Sequence, residues 1–155
     1  DQIGIHAFWE TRIPEMFFKE YNLYIGPARY IDNPLKEAWK IVKSSNSLVD
    51  SVLSIEKNLA QHYRPAEIKS YIVRNNQLTL TYSDPYTIAY NSALNGMVER
   101  RFKAAIHAVA SFWYSAWIDA GQPKLTNITP PTEIESIAIP LDSTSKPLGR
   151  IEWHY

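Results

Sequence analysis

His6 and Glu10 stand four residues apart in Gly4-Ile5-His6-Ala7-Phe8-Trp9-Glu10-Thr11-Arg12-Ile13-Pro14-Glu15, a run that reads as helix. On an α-helix, positions i and i+4 lie one above the other on the same face, so the imidazole and the carboxylate converge on one point. Imidazole nitrogen and carboxylate oxygen both suit zinc, which takes three or four protein ligands, and a helical His-x-x-x-Glu supplies two of them. The same spacing serves a plain hydrogen bond between His6 and Glu10. On these two residues alone, both readings stand.

Other side chains offer less. Glu99, Arg100 and Arg101 form a charged triplet in which the guanidinium forks of Arg100 and Arg101 suit a phosphate group. The competing reading is an ion pair plus a solvated charge. Asp119 closes the aromatic stripe Phe112, Trp113, Trp117 and is a candidate partner behind a metal-bound histidine; helix-end solvation explains it equally well. The stripe itself reads as core before it reads as a lipid or base platform. His62 falls at an expected helix end, where an imidazolium favours the helix dipole. His107 has no carboxylate three or four residues away, and His154 has only Glu152 nearby.

The motif around His6, together with Gly96-Met97-Val98-Glu99-Arg100-Arg101 and Ser111-Phe112-Trp113-Tyr114-Ser115-Ala116-Trp117-Ile118-Asp119-Ala120-Gly121-Gln122-Pro123, resembles the zinc-dependent phospholipase C family of bacteria. It is similar more distantly to the single-strand-specific zinc nucleases. The resemblance runs over residues 2 to 125. It implies a mostly helical phosphoester hydrolase with a cluster of three zinc ions, in which His6 and Glu10 are two of the ligands. It also implies export, to the periplasm or the medium. Family members carry their other ligands, an amino-terminal Trp and several His and Asp residues, upstream of the segment matching residues 1 to 10. The chain therefore reads as the carboxy-terminal half of a larger enzyme, inactive by itself, with the missing amino-terminal half and a phosphoester substrate as its partners. The reading of a different class is a non-catalytic helical domain that binds a partner or itself through an apolar face left uncovered.

The elements that must position these residues are helical first and irregular last. Ile5 to Tyr21 reads as a helix kinked or broken after Ile13 by Pro14. Asp32 or Asn33 before Pro34 starts a second helix to about His62, with Leu35, Ala38, Val42, Val49, Val52 and Leu59 on its apolar face and Ser44-Ser45-Asn46-Ser47 as its weak middle. Residues 69–81 hold two β-branched or aromatic runs around Asn75-Asn76, compatible with a small hairpin or a loop. Ser83-Asp84-Pro85 caps one long helix to Ala120, roughly 50 Å if unbroken, which Gly121 and Pro123 terminate. The expected fold is all-α: a helical bundle fragment over residues 1–122, then a Pro-rich extended arm or tail over 123–155 that holds five of the ten prolines.

Composition places the chain among folded domains: 45% of it is hydrophobic and 13% aromatic, well outside the disordered range. Sixteen basic residues balance sixteen acidic ones, so no basic stripe points to a nucleic-acid backbone. Without cysteine there is no disulfide, thiolate metal site or cysteine nucleophile. No run of about 18 apolar residues reads as a transmembrane segment.

Overall fold

The computed structural model of the chain describes residues 4–127. Its first helical run changes geometry three times. An α-helical turn α1 (Ile5–Ala7) leads into a π-helical turn (Phe8–Arg12), α2 (Ile13–Phe17) and a 3-10 turn (Phe18–Glu20). Pro14 explains the sequence of types: it has no N–H, and its ring crowds the preceding turn of a regular helix. The wider π-turn immediately before α2 relieves that crowding, with Ile13 N–H donating to the Phe8 carbonyl. The run turns with the proline instead of stopping at it.

Residues 21–33 then run without regular structure. Their backbone is stitched to a later helix at alternate residues: Arg29 N–H donates to Ser111 Oγ at 3.2 Å and Ile31 N–H to Ser115 Oγ at 2.8 Å. Both serines are buried, and they lie four apart, on one helix face. Next, Asn33 caps α3 (Pro34–Asn46), its side-chain oxygen accepting the Lys36 N–H at 2.9 Å. The weak middle breaks the expected second helix, and α4 (Val49–Ala60) follows as a separate element. A short α5 (Pro65–Ile68) leads into the sheet.

The all-α expectation is overturned at residues 69–82. Strands β1 (Lys69–Arg74) and β2 (Gln77–Tyr82) pair antiparallel, with Arg74 opposite Gln77 and Lys69 opposite Tyr82. The turn is Asn75-Asn76, both with positive φ, 49° and 61°. That is the conformation a two-residue hairpin turn demands, and asparagine tolerates it. Ile72, Val73, Thr79 and Thr81 supply the β-branched side chains that fit a pleated surface. The fold is thus mostly helical with a small antiparallel hairpin, tied to α2 by an Arg74–Glu15 ion pair at 2.7 Å.

A second correction concerns the long carboxy-terminal helix. Ser83 caps α6 (Asp84–Ala93), its Oγ accepting the Tyr86 N–H at 3.4 Å, but the helix stops before α7 (Met97–Asp119). Asn95 and Gly96 both have positive φ, 48° and 71°. Left-handed residues cannot continue a right-handed helix. The apolar pattern runs straight through this break because Leu94, Met97 and Val98 all face the core.

Phe8, Ile13, Tyr82, Tyr86, Tyr90, Leu94, Met97 and Val98 form that core, drawn from the first helical run, β2, α6 and the start of α7. Val52 and Leu59 pack against it. The other apolar residues of the expected faces do not: Leu35 is 70% exposed, Val42 54% and Trp113 74%. Trp113 is therefore a surface residue and not core, and no element among the described residues packs over it. Residues 4–122 belong to one compact unit and Pro123 opens a second, of which only a 3-10 turn, Leu125–Asn127, is described. The Pro-rich tail reading falls on residues outside the described range beyond that turn.

Candidate metal centre

His6 and Glu10 meet as their spacing predicts. His6 Nε2 lies 2.8 Å from Glu10 Oε1, with both side chains mostly in solvent. The opposite side of the same helical run is locked in the core. Phe8 is fully buried and stacks between Tyr82, at 3.8 Å between ring centroids, and Tyr90, at 4.9 Å. Trp9 donates its indole N–H to Tyr90 Oη at 3.1 Å, and Tyr90 Oη–H donates in turn to the Val52 carbonyl at 2.9 Å. Arg12, also buried, donates to the Tyr82 carbonyl at 3.2 Å and pairs with Asp84. With residues 8, 9 and 12 fixed inward, positions 6 and 10 are held outward in a defined orientation.

The 2.8 Å separation is that of a direct hydrogen bond; donors on a tetrahedral zinc at the usual bond lengths lie about 3.3 Å apart, so an ion would part the two groups by roughly half an ångström, and their exposure leaves it a path. The pair sits on a groove of about 530 Å³ whose wall includes Trp9, Leu48, Val52, Ser45 and Arg101. Two ligands do not complete a site, and no group of three or more metal-binding side chains occurs among the described residues.

The two arginines of the triplet separate. Arg101 faces the groove, its guanidinium donating to Ser44 Oγ at 3.1 Å and Ser45 Oγ at 2.7 Å. Arg100 turns back and donates to the Asn95 carbonyl at 2.5 Å, closing the turn between α6 and α7. Glu99 pairs with Lys103 at 2.8 Å, and that hydrogen bond holds its carboxyl below the usual range. Asp119 accepts from Tyr30 Oη–H at 2.7 Å, which pushes the Tyr30 phenol up. Eighteen residues of α7 separate Asp119 from Arg101, about 27 Å of helix. The structure thus brings Arg101 to the His6–Glu10 groove and sets Asp119 with Tyr30. His62 Nδ1 lies 3.0 Å from the Asn58 carbonyl at the end of α4, and His107 lines a different groove. His154 lies outside the described residues.

The cluster that holds the most perturbed groups, Tyr82, Tyr86 and Tyr90, was not visible as a motif. Glu56 is 7% exposed and accepts from Tyr86 Oη–H at 2.8 Å. Burial, then that hydrogen bond, drives the Tyr86 phenol far above its ordinary range. Burial likewise pushes Tyr82 and Tyr90 each up to about 12. Lys69 Nζ sits 3.4 Å over the Tyr82 ring, a cation–π contact, and burial lowers its pKa. These groups come from α4, β1, β2 and α6, so only the folded chain assembles them. The one trace in sequence is the Tyr82, Tyr86, Tyr90 spacing of four.

No protein-family model, curated protein or solved structure matches the chain. No helix among the described residues is long and apolar enough to cross a membrane.

Proposed function

We propose that the chain is the ligand-bearing carboxy-terminal portion of a zinc-dependent phosphoester hydrolase. The observation that carries the proposal is the 2.8 Å approach of His6 Nε2 to Glu10 Oε1 on the solvent side of a helical run whose other side is locked in the core. Preorganised ligands cost little to bring together on binding, and here Phe8, Trp9 and Arg12 do the organising. Two ligands fall short of the three or four that zinc takes, so the remainder come from outside residues 4–127. Bound zinc would supply a water activated near neutral pH and charge stabilisation at phosphorus. Glu10 and His6 act in this scheme as holders of the metal and not as proton shuttles. Arg101, anchored by Ser44 and Ser45 on the same groove, offers the guanidinium that a phosphate oxygen would meet. An exported enzyme is part of this proposal.

The test is zinc-dependent hydrolysis of a chromogenic phosphodiester by the natural polypeptide and by its His6→Ala and Glu10→Ala variants. The proposal expects activity that zinc restores after chelation and that both variants lose. Activity indifferent to zinc, or equal in all three proteins, contradicts it.

A second reading has its own observation. Trp39 on α3 is 58% exposed, and Val109 and Trp113, four apart on one face of α7, are 51% and 74% exposed; exposed apolar side chains of this kind suit association of the chain with itself or a partner. Sedimentation of the parent beside Trp113→Ser decides it: a concentration-dependent dimer lost in the variant supports the reading, and a monomer throughout removes self-association.

A further inference from the structure

The groove between residues 24–31, α3 and α7 gathers positive charge in a chain whose net charge is zero. It has a volume of about 810 Å³, and Arg29, Lys40, Arg101, Lys103 and His107 line it against a single carboxylate, Glu37. Glu37 is already engaged, by Arg29 at 2.5 Å and Lys40 at 3.6 Å. Lys103 is engaged by Glu99. Arg101 differs from Arg29, Lys40 and Lys103: among the described residues no carboxylate lies within ion-pair distance of it, and its partners are the hydroxyls of Ser44 and Ser45.

Those hydroxyls hold the guanidinium plane without neutralising it. A guanidinium has five N–H donors; two serve the serines, and the rest remain for an acceptor that the described residues do not supply. The planar fork of a half-buried cation presented in this way reaches two oxygens of one anion at once, and the further positive charge along the same wall favours a phosphate dianion over a singly charged carboxylate.

We propose that this groove is a phosphate-binding site anchored by Arg101, with Lys40 and His107 on its wall and Ser44 and Ser45 as positioning residues. Arg101 and Ser45 line both this groove and the one carrying His6 and Glu10. A ligand whose phosphate rests on Arg101 therefore lies beside the metal-ligand pair. The inference rests on the hydrolase proposal and deepens it by naming the groove that holds the substrate's phosphate on Arg101, yet binding at this groove needs no metal.

The experiment is calorimetric titration of the chain with inorganic phosphate, with chelator present and with chloride at matched ionic strength as the control. Phenyl phosphate as a second ligand asks whether an esterified phosphate also enters. Parent protein is expected to bind phosphate above the chloride baseline. Arg101→Ala and Arg101→Lys should weaken it by roughly tenfold or more, since lysine keeps the charge and loses the fork. Lys57→Ala, which removes an exposed charge outside the groove, should bind as the parent does. Circular dichroism confirms that each variant is folded. Equal affinity in parent and Arg101→Ala, or phosphate heats no larger than those of chloride, overturns the site. Loss of binding in Lys57→Ala as well would mean diffuse attraction and overturns it equally. Because zinc is absent throughout, failure here leaves the metal proposal standing, and failure of zinc binding leaves this one standing.

Discussion

Trp9 and Tyr90, 81 residues apart in the chain, are joined by a hydrogen bond of 3.1 Å from the indole N–H to the phenol oxygen. The same phenol donates to the Val52 carbonyl, so one side chain links the first helical run, α4 and α6. It is the relay that fixes the helix on which His6 and Glu10 stand. Tyr90→Phe keeps the ring stack and removes the relay, leaving the partly buried Trp9 indole N–H without its acceptor, while the Val52 carbonyl keeps its place in the α4 ladder. The expected cost is about 1–3 kcal/mol, read as a lower urea midpoint at unchanged slope.

Arg12 is buried while the Asp84 carboxylate that pairs with it is mostly in solvent. Replacing Asp84 with Asn weakens a charged hydrogen bond without emptying space. A loss of about 1.5–3 kcal/mol is expected at most, the range for hydrogen bonds to charged groups. Arg12→Ala should cost more than Asp84→Asn, because it also removes the Nε–H that donates to the Tyr82 carbonyl. Thermal unfolding of both variants checks the order.

The three core tyrosines set the alkaline limit of the fold. A tyrosine in the unfolded chain titrates near 10, whereas Tyr82 and Tyr90 are raised to about 12 and Tyr86 is raised further. Above pH 10 the unfolded chain has lost protons that the folded chain still holds, so stability falls as pH rises from about 10 through 12. Lys69 acts with the opposite sign: its lowered pKa means that, just below the ordinary lysine range, the unfolded chain binds the extra proton and stability rises with pH. Three phenols outweigh one ammonium. Tyrosinate absorbance followed beside circular dichroism should show these three ionising only with unfolding. Their titration with the exposed tyrosines, in a still-folded protein, would contradict the assignment.

Gly96 has a φ of 71°, and a Cβ built there would lie 3.1 Å from the Arg100 guanidinium. The guanidinium is the far end of a flexible side chain and can give way, so the backbone conformation dominates the cost. Gly96→Ala should destabilise by about 1–2 kcal/mol, measured by the same urea midpoint.

Local chemistry was readable from sequence where it is local in space. The His6–Glu10 contact follows from a spacing of four, and the starts of α3 and α6 follow from Asn33-Pro34 and Ser83-Asp84-Pro85. The hairpin stands in the sequence as one of two readings, hairpin or loop, and the all-α class overlooked it because two six-residue strands offer only short β-branched runs. The break at Asn95-Gly96 escaped because Leu94 and Met97 keep helical spacing across it while both face the core. Trp113 reads as core by type and spacing, yet its helix face is uncovered. Glu56 with Tyr86, and Arg12 with Asp84, pair across 30 and 72 residues, and periodicity carries no trace of such partners.

The central claim is that His6 and Glu10 together bind zinc, and the direct measurement is a zinc titration of the purified chain by competition with a colorimetric chelator, with His6→Ala and Glu10→Ala alongside. Zinc bound by the parent and weakened by roughly 10–100-fold or more in each variant is the expected result, a loss at least as large as removing a supporting residue causes. Zinc affinity equal in all three proteins, or none in the parent, contradicts the claim and leaves His6–Glu10 as a surface ion pair.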